Sequence, residues 1–251
     1  MSDDVMYRFD ASGEVYVYDA RNYNGYDGSE TPDDTKYTVG KLFADIPGLT
    51  VVGLGQNSFK YNTKITSVAF ANDITSAYKP FDGNSTVESV DLTNLTTVPD
   101  RLFYGLSKVK SVEIPDSVTR VEDWAFYACT GVETIIVGKN VTYIGYKAFD
   151  GCDSLKVLDI LGSPEIVNWA GRQCKALTDL YLRGENTTYN YDYVPAGQTK
   201  GGHIICHQQS GNPGQFKFTV HVASEEVFNT FAANNGAGNK ASEYTAVVII
   251  Q

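Results

Sequence analysis

"WAFYACTGVETIIVGKNVTYIGYKAFDGCDSL", residues 124–155, carries one pattern twice: "WAFYACTGV" returns as "KAFDGCDSL". Phe126 and Phe149 lie 23 positions apart, and so do Cys129 and Cys152. A catalytic motif has no reason to recur on such a beat, whereas a structural unit that stacks on copies of itself does.

With the aromatic as anchor, the pattern extends in both directions. Anchors fall at Phe59, Phe81, Phe103, Phe126 and Phe149, with Gly171 in the sixth place, at intervals of 22, 22, 23, 23 and 22 residues. Six positions past each anchor stand Ile65, Val87, Val109, Val132, Leu155 and Leu177. Nine past stand Val68, Val90, Val112, Ile135, Leu158 and Leu180; eleven past stand Phe70, Leu92, Ile114, Val137, Ile160 and Leu182. All eighteen positions are apolar.

Positions nine and eleven alternate with polar residues, as in "SVEI" (111–114) and "VLDI" (157–160), the period of a strand with one buried face. A second apolar pair follows, as in Val118 and Val121, after turn signals such as "IPDS" (114–117) and "VGKN" (137–140). Each unit therefore reads as strand, turn, short extended return and compact turn through the "AF..C" segment. One such unit cannot bury its apolar positions alone, but a stack of six can.

The units "VETIIVGKNVTYIGYKAFDGC" and "VKSVEIPDSVTRVEDWAFYAC" resemble the BspA-like leucine-rich repeat of bacterial surface proteins. The resemblance covers residues 52–184 and implies a leucine-rich-repeat solenoid, a right-handed superhelix that is α/β by class but mostly β. A parallel sheet of about six repeat strands is expected, continuous along the stack. Two departures stand out. The common leucine-rich repeat carries Asn or Cys after the strand, and these units show none there. The last unit, "WAGRQCKALTDLYL", has lost its aromatic anchor, so less regular packing is expected there.

Residues 1–51 read as an N-terminal cap, with a β-hairpin in "MYRFDASGEVYVYDA" and a polar loop in "RNYNGYDGSETPDDTKY". Residues 185–251 read as a C-terminal cap. "GQFKFTVHV" is a strand there, and "SEEVFNTFAANNG" is a helix with Ser224 as N-cap and Glu225 and Glu226 at the positive end of its dipole. "YTAVVII" is a final strand.

The net charge of −10 argues against nucleic acid, whose phosphates need Lys and Arg, and against docking on anionic lipid. No apolar run reaches the roughly 18 residues of a membrane span, so membrane insertion of this chain is not expected. The start "MSDDVMYRFD" lacks the regions of a signal peptide. The family resemblance implies secretion or surface anchoring, with a signal or lipoprotein segment trimmed from this chain.

Several residue sets invite chemical readings. Cys129, Cys152 and Cys174 recur at one repeat position. Zinc sites take ligands from much tighter spacings, so small buried side chains filling a turn are the better reading. His203 and His207 in "HIICH" would point to one face of a strand but sit about 13 Å apart. "GLGQNS" (53–58) is the repeat turn rather than a phosphate loop. The acidic loop with Asp27, Glu30, Asp33 and Asp34 lacks the ligand ladder of a calcium loop. Sequons at Asn84, Asn94, Asn140 and Asn186 read as by-products of repeat turns. No metal, cofactor or catalytic constellation is recognised.

The function that the family resemblance implies is non-enzymatic: binding or adhesion at a cell surface, by a monomer recognising a protein or glycan through the concave solenoid face. An enzyme with its site in the flanking segments, or a structural spacer of a larger surface protein, is the alternative. Strand residues between the buried positions face the ligand. Among them Asp91, Glu113, Ile136, Asp159 and Tyr181 are the candidate binding residues, beside a row of Ser67, Ser89, Ser111, Thr134, Val157 and Asp179.

Overall fold

A computed structural model describes residues 51–60, 62–190, 192–198, 205–206 and 218–234. It also gives the backbone of the strands Met6–Phe9, Val15–Asp19, Lys36–Val39 and Tyr244–Ile249. The chain winds as a β-solenoid of about six turns, and each coil contributes a return strand, an anchor turn and a face strand.

The face strands Ser111–Ile114, Thr134–Val137, Val157–Ile160 and Asp179–Leu182 pair in parallel without a slip, each residue beside its repeat equivalent. Phe218–Val222 and Tyr244–Ile249 extend this sheet to six strands. Lys36–Val39, Ser67–Phe70 and Ser89–Val90 form a separate three-stranded sheet. The return strands Thr97–Val98, Arg120–Val121, Tyr143–Ile144, Glu165–Val167 and Thr188–Asn190 form a second, five-stranded wall. On the other side, Val51–Leu54 pairs with Ser76–Ala77 and with Val15–Asp19, the inner arm of the expected hairpin, whose outer arm is Met6–Phe9.

The alternation in the sequence decides which residues fill the space between the walls. Of the eighteen apolar repeat positions, seventeen are buried and only Val90 is partly covered. The anchors stack as a column of rings, with centroids 4.7 Å apart for Phe59 and Phe81, 6.1 Å for Phe81 and Phe103, 5.2 Å for Phe103 and Phe126, and 5.9 Å for Phe126 and Phe149. Burying one such ring contributes about 1.5–3 kcal/mol from apolar area alone. The missing sixth ring leaves no hole. Ile205 from the following segment lies against Gly171, close enough that a Cβ there would stand 3.2 Å from its Cγ1.

The anchor turns share one backbone shape. The residue two before the anchor has positive φ in all six coils, from 47° at Lys79 to 59° at Trp169. The residue two after it does so at Gly83, Gly105, Ala128, Gly151 and Gln173. The two left-handed residues turn three amides toward the next coil. In the coil of Phe126, Trp124 donates to the Tyr146 carbonyl (2.9 Å), Phe126 to Ala148 (2.8 Å) and Ala128 to Asp150 (2.8 Å).

Two expectations need correction. The face sheet is not continuous, because it breaks between Ser89–Val90 and Ser111–Ile114. The return wall breaks at the same boundary, between Ser76–Ala77 and Thr97–Val98, and no anchor-turn bonds join 79–83 to 101–105. On the face side the break coincides with a local turn: the Asp91 carboxylate accepts from the Thr93 amide (3.0 Å) and hydroxyl (2.6 Å) where the face strand ends two residues early. At the corner, Asp73 Oδ1 takes the Thr96 amide (3.0 Å) in place of a backbone acceptor.

The repeat also does possess its Asn or Cys, three residues after the anchor rather than after the strand. Asn84 Nδ2 donates to the Phe59 carbonyl (3.1 Å), Cys129 Sγ to Phe103 (3.0 Å), Cys152 Sγ to Phe126 (3.4 Å) and Cys174 Sγ to Phe149 (3.4 Å). Leu106 holds that place in the coil of Phe103 and has no donor to offer. The three thiols are free and buried, and desolvation pushes that of Cys129 up to about 12. The sequon asparagines also serve turns: the side chains of Asn84, Asn94 and Asn140 each donate to a carbonyl of the preceding coil.

Following the repeats, Ser224 caps the helix Glu225–Asn234 as expected, its hydroxyl accepting from the Val227 amide (3.3 Å). Phe231 of that helix packs edge-on against Tyr189.

Candidate functional site

Because side chains alternate along a strand, the residues between the buried ones emerge together on the face sheet. The ladder then sets them side by side in one row: Glu113, Ile136, Asp159, Tyr181 and His221. Four of the five expected binding residues therefore stand in register, spaced by the strand separation of about 4.8 Å. Asp91, the fifth, lies across the break in the sheet.

The two ends of the row differ. Glu113 is exposed, Ile136 is half-buried, and Asp159, Tyr181 and His221 belong to a tight network. Asp159 grips Arg183 with both oxygens, at 2.7 Å to Nε and 2.9 Å to a terminal nitrogen. The Arg183 guanidinium lies 4.9 Å from the centre of the Tyr181 ring. Tyr181 stacks on His221 with centroids 4.0 Å apart and planes within 8°. His221 Nε2 reaches Asp179 Oδ1 at 2.8 Å, and this hydrogen bond holds the Asp179 carboxyl below its usual range. The result is a flat, preordered patch of ring, guanidinium and carboxylate that spans the last coil and the strand after it.

Arg183 and His221 were missed by the sequence reading. A signal for His221 existed: "FTVHV" repeats the alternation of "DLYL", with Val220 and Val222 in the places of Leu180 and Leu182 and His221 in that of Tyr181. Arg183 lies one residue past its strand and carries no such mark. His203, His207 and the acidic loop of Asp27, Glu30, Asp33 and Asp34 lie outside the described residues. Among the described residues no group of three or more His, Cys, Asp or Glu is placed to hold a metal ion.

A second surface also escaped the sequence reading. Residues beside the anchor turns form a lattice of rings and cations: Arg101 over Trp124 (4.0 Å), Lys79 over Tyr104 (4.0 Å), Arg120 over Tyr143 (4.1 Å) and Arg172 over Trp169 (4.2 Å). Both tryptophans of the chain occupy one repeat position, two before the anchor, which is the clue the spacing held. Asp150, fully buried, ion-pairs with Arg172 at 2.9 Å. These cations and rings satisfy one another, so the lattice reads as a brace between coils.

The coil geometry defines a leucine-rich-repeat solenoid. Its repeats belong to the BspA type: the family model described as "BspA type Leucine rich repeat region" matches in six copies, with residues 44–105. No curated protein matches the chain. Among solved structures, the pneumococcal vaccine antigen PcpA is similar at 14% identity and a TM-score of 0.46, over 96% of this chain and 47% of that one. A leucine-rich repeat protein of Bacteroides ovatus is similar at 15% identity and a TM-score of 0.40, over 100% of this chain and 76% of that one. A leucine-rich repeat protein of T. pallidum matches at 16% identity and a TM-score of 0.40, over 74% of this chain and 83% of that one. The chain thus spans about half the length of the pneumococcal antigen.

Proposed function

We propose that this protein is a non-enzymatic binding module of a bacterial cell surface, holding a protein or glycan partner on its face sheet. The observation that carries the reading is the row Glu113, Ile136, Asp159, Tyr181 and His221, set side by side by an unslipped parallel ladder. A rigid sheet presents such a row at no ordering cost, and a ring stacked beside a guanidinium supplies contact area to a partner. The BspA type of the repeats supports a place at the cell surface. Among the described residues no helix is long and apolar enough to cross a membrane.

The test is a variant combining Asp91→Asn, Glu113→Gln, Asp159→Asn and Tyr181→Ala, compared with wild type on immobilised extracellular-matrix proteins and on a glycan array. Partners bound by wild type should be lost while the melting curve by circular dichroism stays cooperative. Undiminished binding would move the site to the loops or caps.

A further inference from the structure

The break in the face sheet opens a cleft of about 430 Å³, lined by Glu88, Ser89, Asp91, Lys110, Ser111 and Glu113 among others. Its walls are two strands, Ser89–Val90 and Ser111–Ile114, that are the facing edges of separate sheets. A strand edge offers backbone donors and acceptors to an extended chain. Ser89 and Ser111 keep the rim low, since nothing longer than a hydroxymethyl stands there. Three carboxylates face one ammonium, and that ammonium is drawn 3.5 Å from Glu133 in the neighbouring coil. Glu88 and Glu113 form no ion pair among the described residues. The cleft is therefore anionic, and Val90, Leu92 and Pro115 give it an apolar side as well, which suits the stem of a long cationic side chain.

We propose that this seam cleft receives the cationic side chain, Lys or Arg, of an extended partner peptide lying along the two strand edges. The assignment rests on the binding reading above and names the chemistry of one part of that face. The carboxylates supply charge-assisted hydrogen bonds, and Val90, Leu92 and Pro115 pack against the stem and the flanking residues of the peptide. A free polyamine would use only the first of these, so the peptide is the better fit.

A fluorescein-labelled peptide, acetylated and amidated, of alternating Gly and Arg tests this by fluorescence anisotropy at low ionic strength. Wild type should bind it. The double variant Glu88→Gln/Glu113→Gln should bind about tenfold more weakly or worse. Ser111→Trp, which plugs the cleft without changing charge, should do the same. Asp116→Asn/Glu185→Gln removes two exposed acids that do not line the cleft and should keep wild-type affinity for the peptide.

An equal loss in the Asp116/Glu185 variant would mean that net charge alone attracts the peptide, and would overturn the proposal. Absence of binding by wild type would do so too, as would spermidine displacing the peptide at equal concentration. If peptide binding fails while matrix or glycan binding persists and depends on Asp159 and Tyr181, only the cleft assignment falls. If the peptide binds in the cleft and no partner depends on Asp159 and Tyr181, the wider face reading falls instead.

Discussion

The coils on either side of Phe103 are built from one repeat, yet they are joined differently. From the coil of Phe103 onward, successive coils share a strand ladder, a return ladder and anchor-turn bonds such as Phe103 to Ala125 (2.8 Å) and Phe149 to Ala170 (2.7 Å). Between the coils of Phe81 and Phe103 all three lapse. Ring contacts remain, with Phe103 meeting Phe81 at 6.1 Å and Phe70 at 6.2 Å, and Lys79 lies over Tyr104 at 4.0 Å. Solenoid stability is roughly a sum of coil terms and nearest-neighbour interfaces. One interface here lacks every backbone ladder and holds by packing and a few side-chain bonds, of Asp73 to Thr96 and of Ser117 to the Thr93 carbonyl, and so it is where the stack is expected to divide into two cooperative parts.

Hydrogen exchange is the most direct way to break that comparison. The amides of Lys79, Phe81 and Gly83 have no acceptor in the next coil, whereas those of Trp124, Phe126 and Ala128 do. The first set should exchange about a hundredfold faster or more, the difference between local and near-global opening. Equal protection by mass spectrometry would show that the seam is closed in solution.

Removing a ring should report on the bonded part. Phe126→Ala should cost about 3–5 kcal/mol through the cavity it leaves, and the loss should fall on the transition of the C-terminal coils in a urea melt. A change under about 1 kcal/mol would contradict the complete burial of that ring in the column.

The turn residue three after the anchor sharpens the contrast further. Asn84 donates to two carbonyls, of Phe59 (3.1 Å) and Asn62 (3.2 Å), and accepts from the amides of Thr86 and Val87 (both 3.0 Å). Cys152 makes one long bond, at 3.4 Å. Asn84→Ala should therefore cost about 3 kcal/mol, because buried groups lose their partners. Cys152→Ala should cost only about 1 kcal/mol, for a small void. Equal costs would show that the side chain fills space in both and the hydrogen bonds add nothing.

Much of this was legible beforehand, and the exceptions have physical reasons. Period fixed the buried columns, because burial on one face of a strand demands alternation, and Phe126 or Leu158 could be placed from spacing alone. The seam was hidden because the repeat spacing runs through it unchanged, and its one local mark is a side chain folding back on its own strand. Asp91 looks like any exposed strand residue until Thr93 is seen to cap its carboxylate. The turn column is hard to see in the sequence because it mixes Asn62 and Asn84 with Cys129, Cys152 and Cys174, although an amide and a thiol can each donate to the same carbonyl. For the candidate site, the row itself followed from parity, and Tyr181 and Asp159 fell where parity put them. Their partners Arg183 and His221 come from beyond the strand and beyond the repeats, where the period no longer speaks.

The smallest expected effect compares two aspartates at one repeat position, three before the anchor. Asp123, in the coil of Phe126, accepts the Tyr146 amide (2.7 Å) and the Tyr193 hydroxyl (3.0 Å). Asp100, in the coil next to the seam, receives only Arg101 through one oxygen, and its other oxygen is buried without a partner. Burial, and secondarily the charges of Asp123 and Glu122, raise the Asp100 carboxyl to about 6, with Arg101 opposing. Its unfolded value is near 3.8, so the folded state holds the proton more tightly than the unfolded chain does. Stability from this group is complete below about pH 4, falls as pH rises toward about 6 and stays low above that. Asp100→Asn should remove that slope, leaving the variant more stable than wild type at pH 7 but not at pH 4. The gain should be under about 1 kcal/mol, because the side chain is 42% exposed and solvent screens the charge. Urea melts at the two pH values measure it. A variant less stable than wild type at pH 7 would show that the Arg101 contact outweighs the desolvation of the carboxylate.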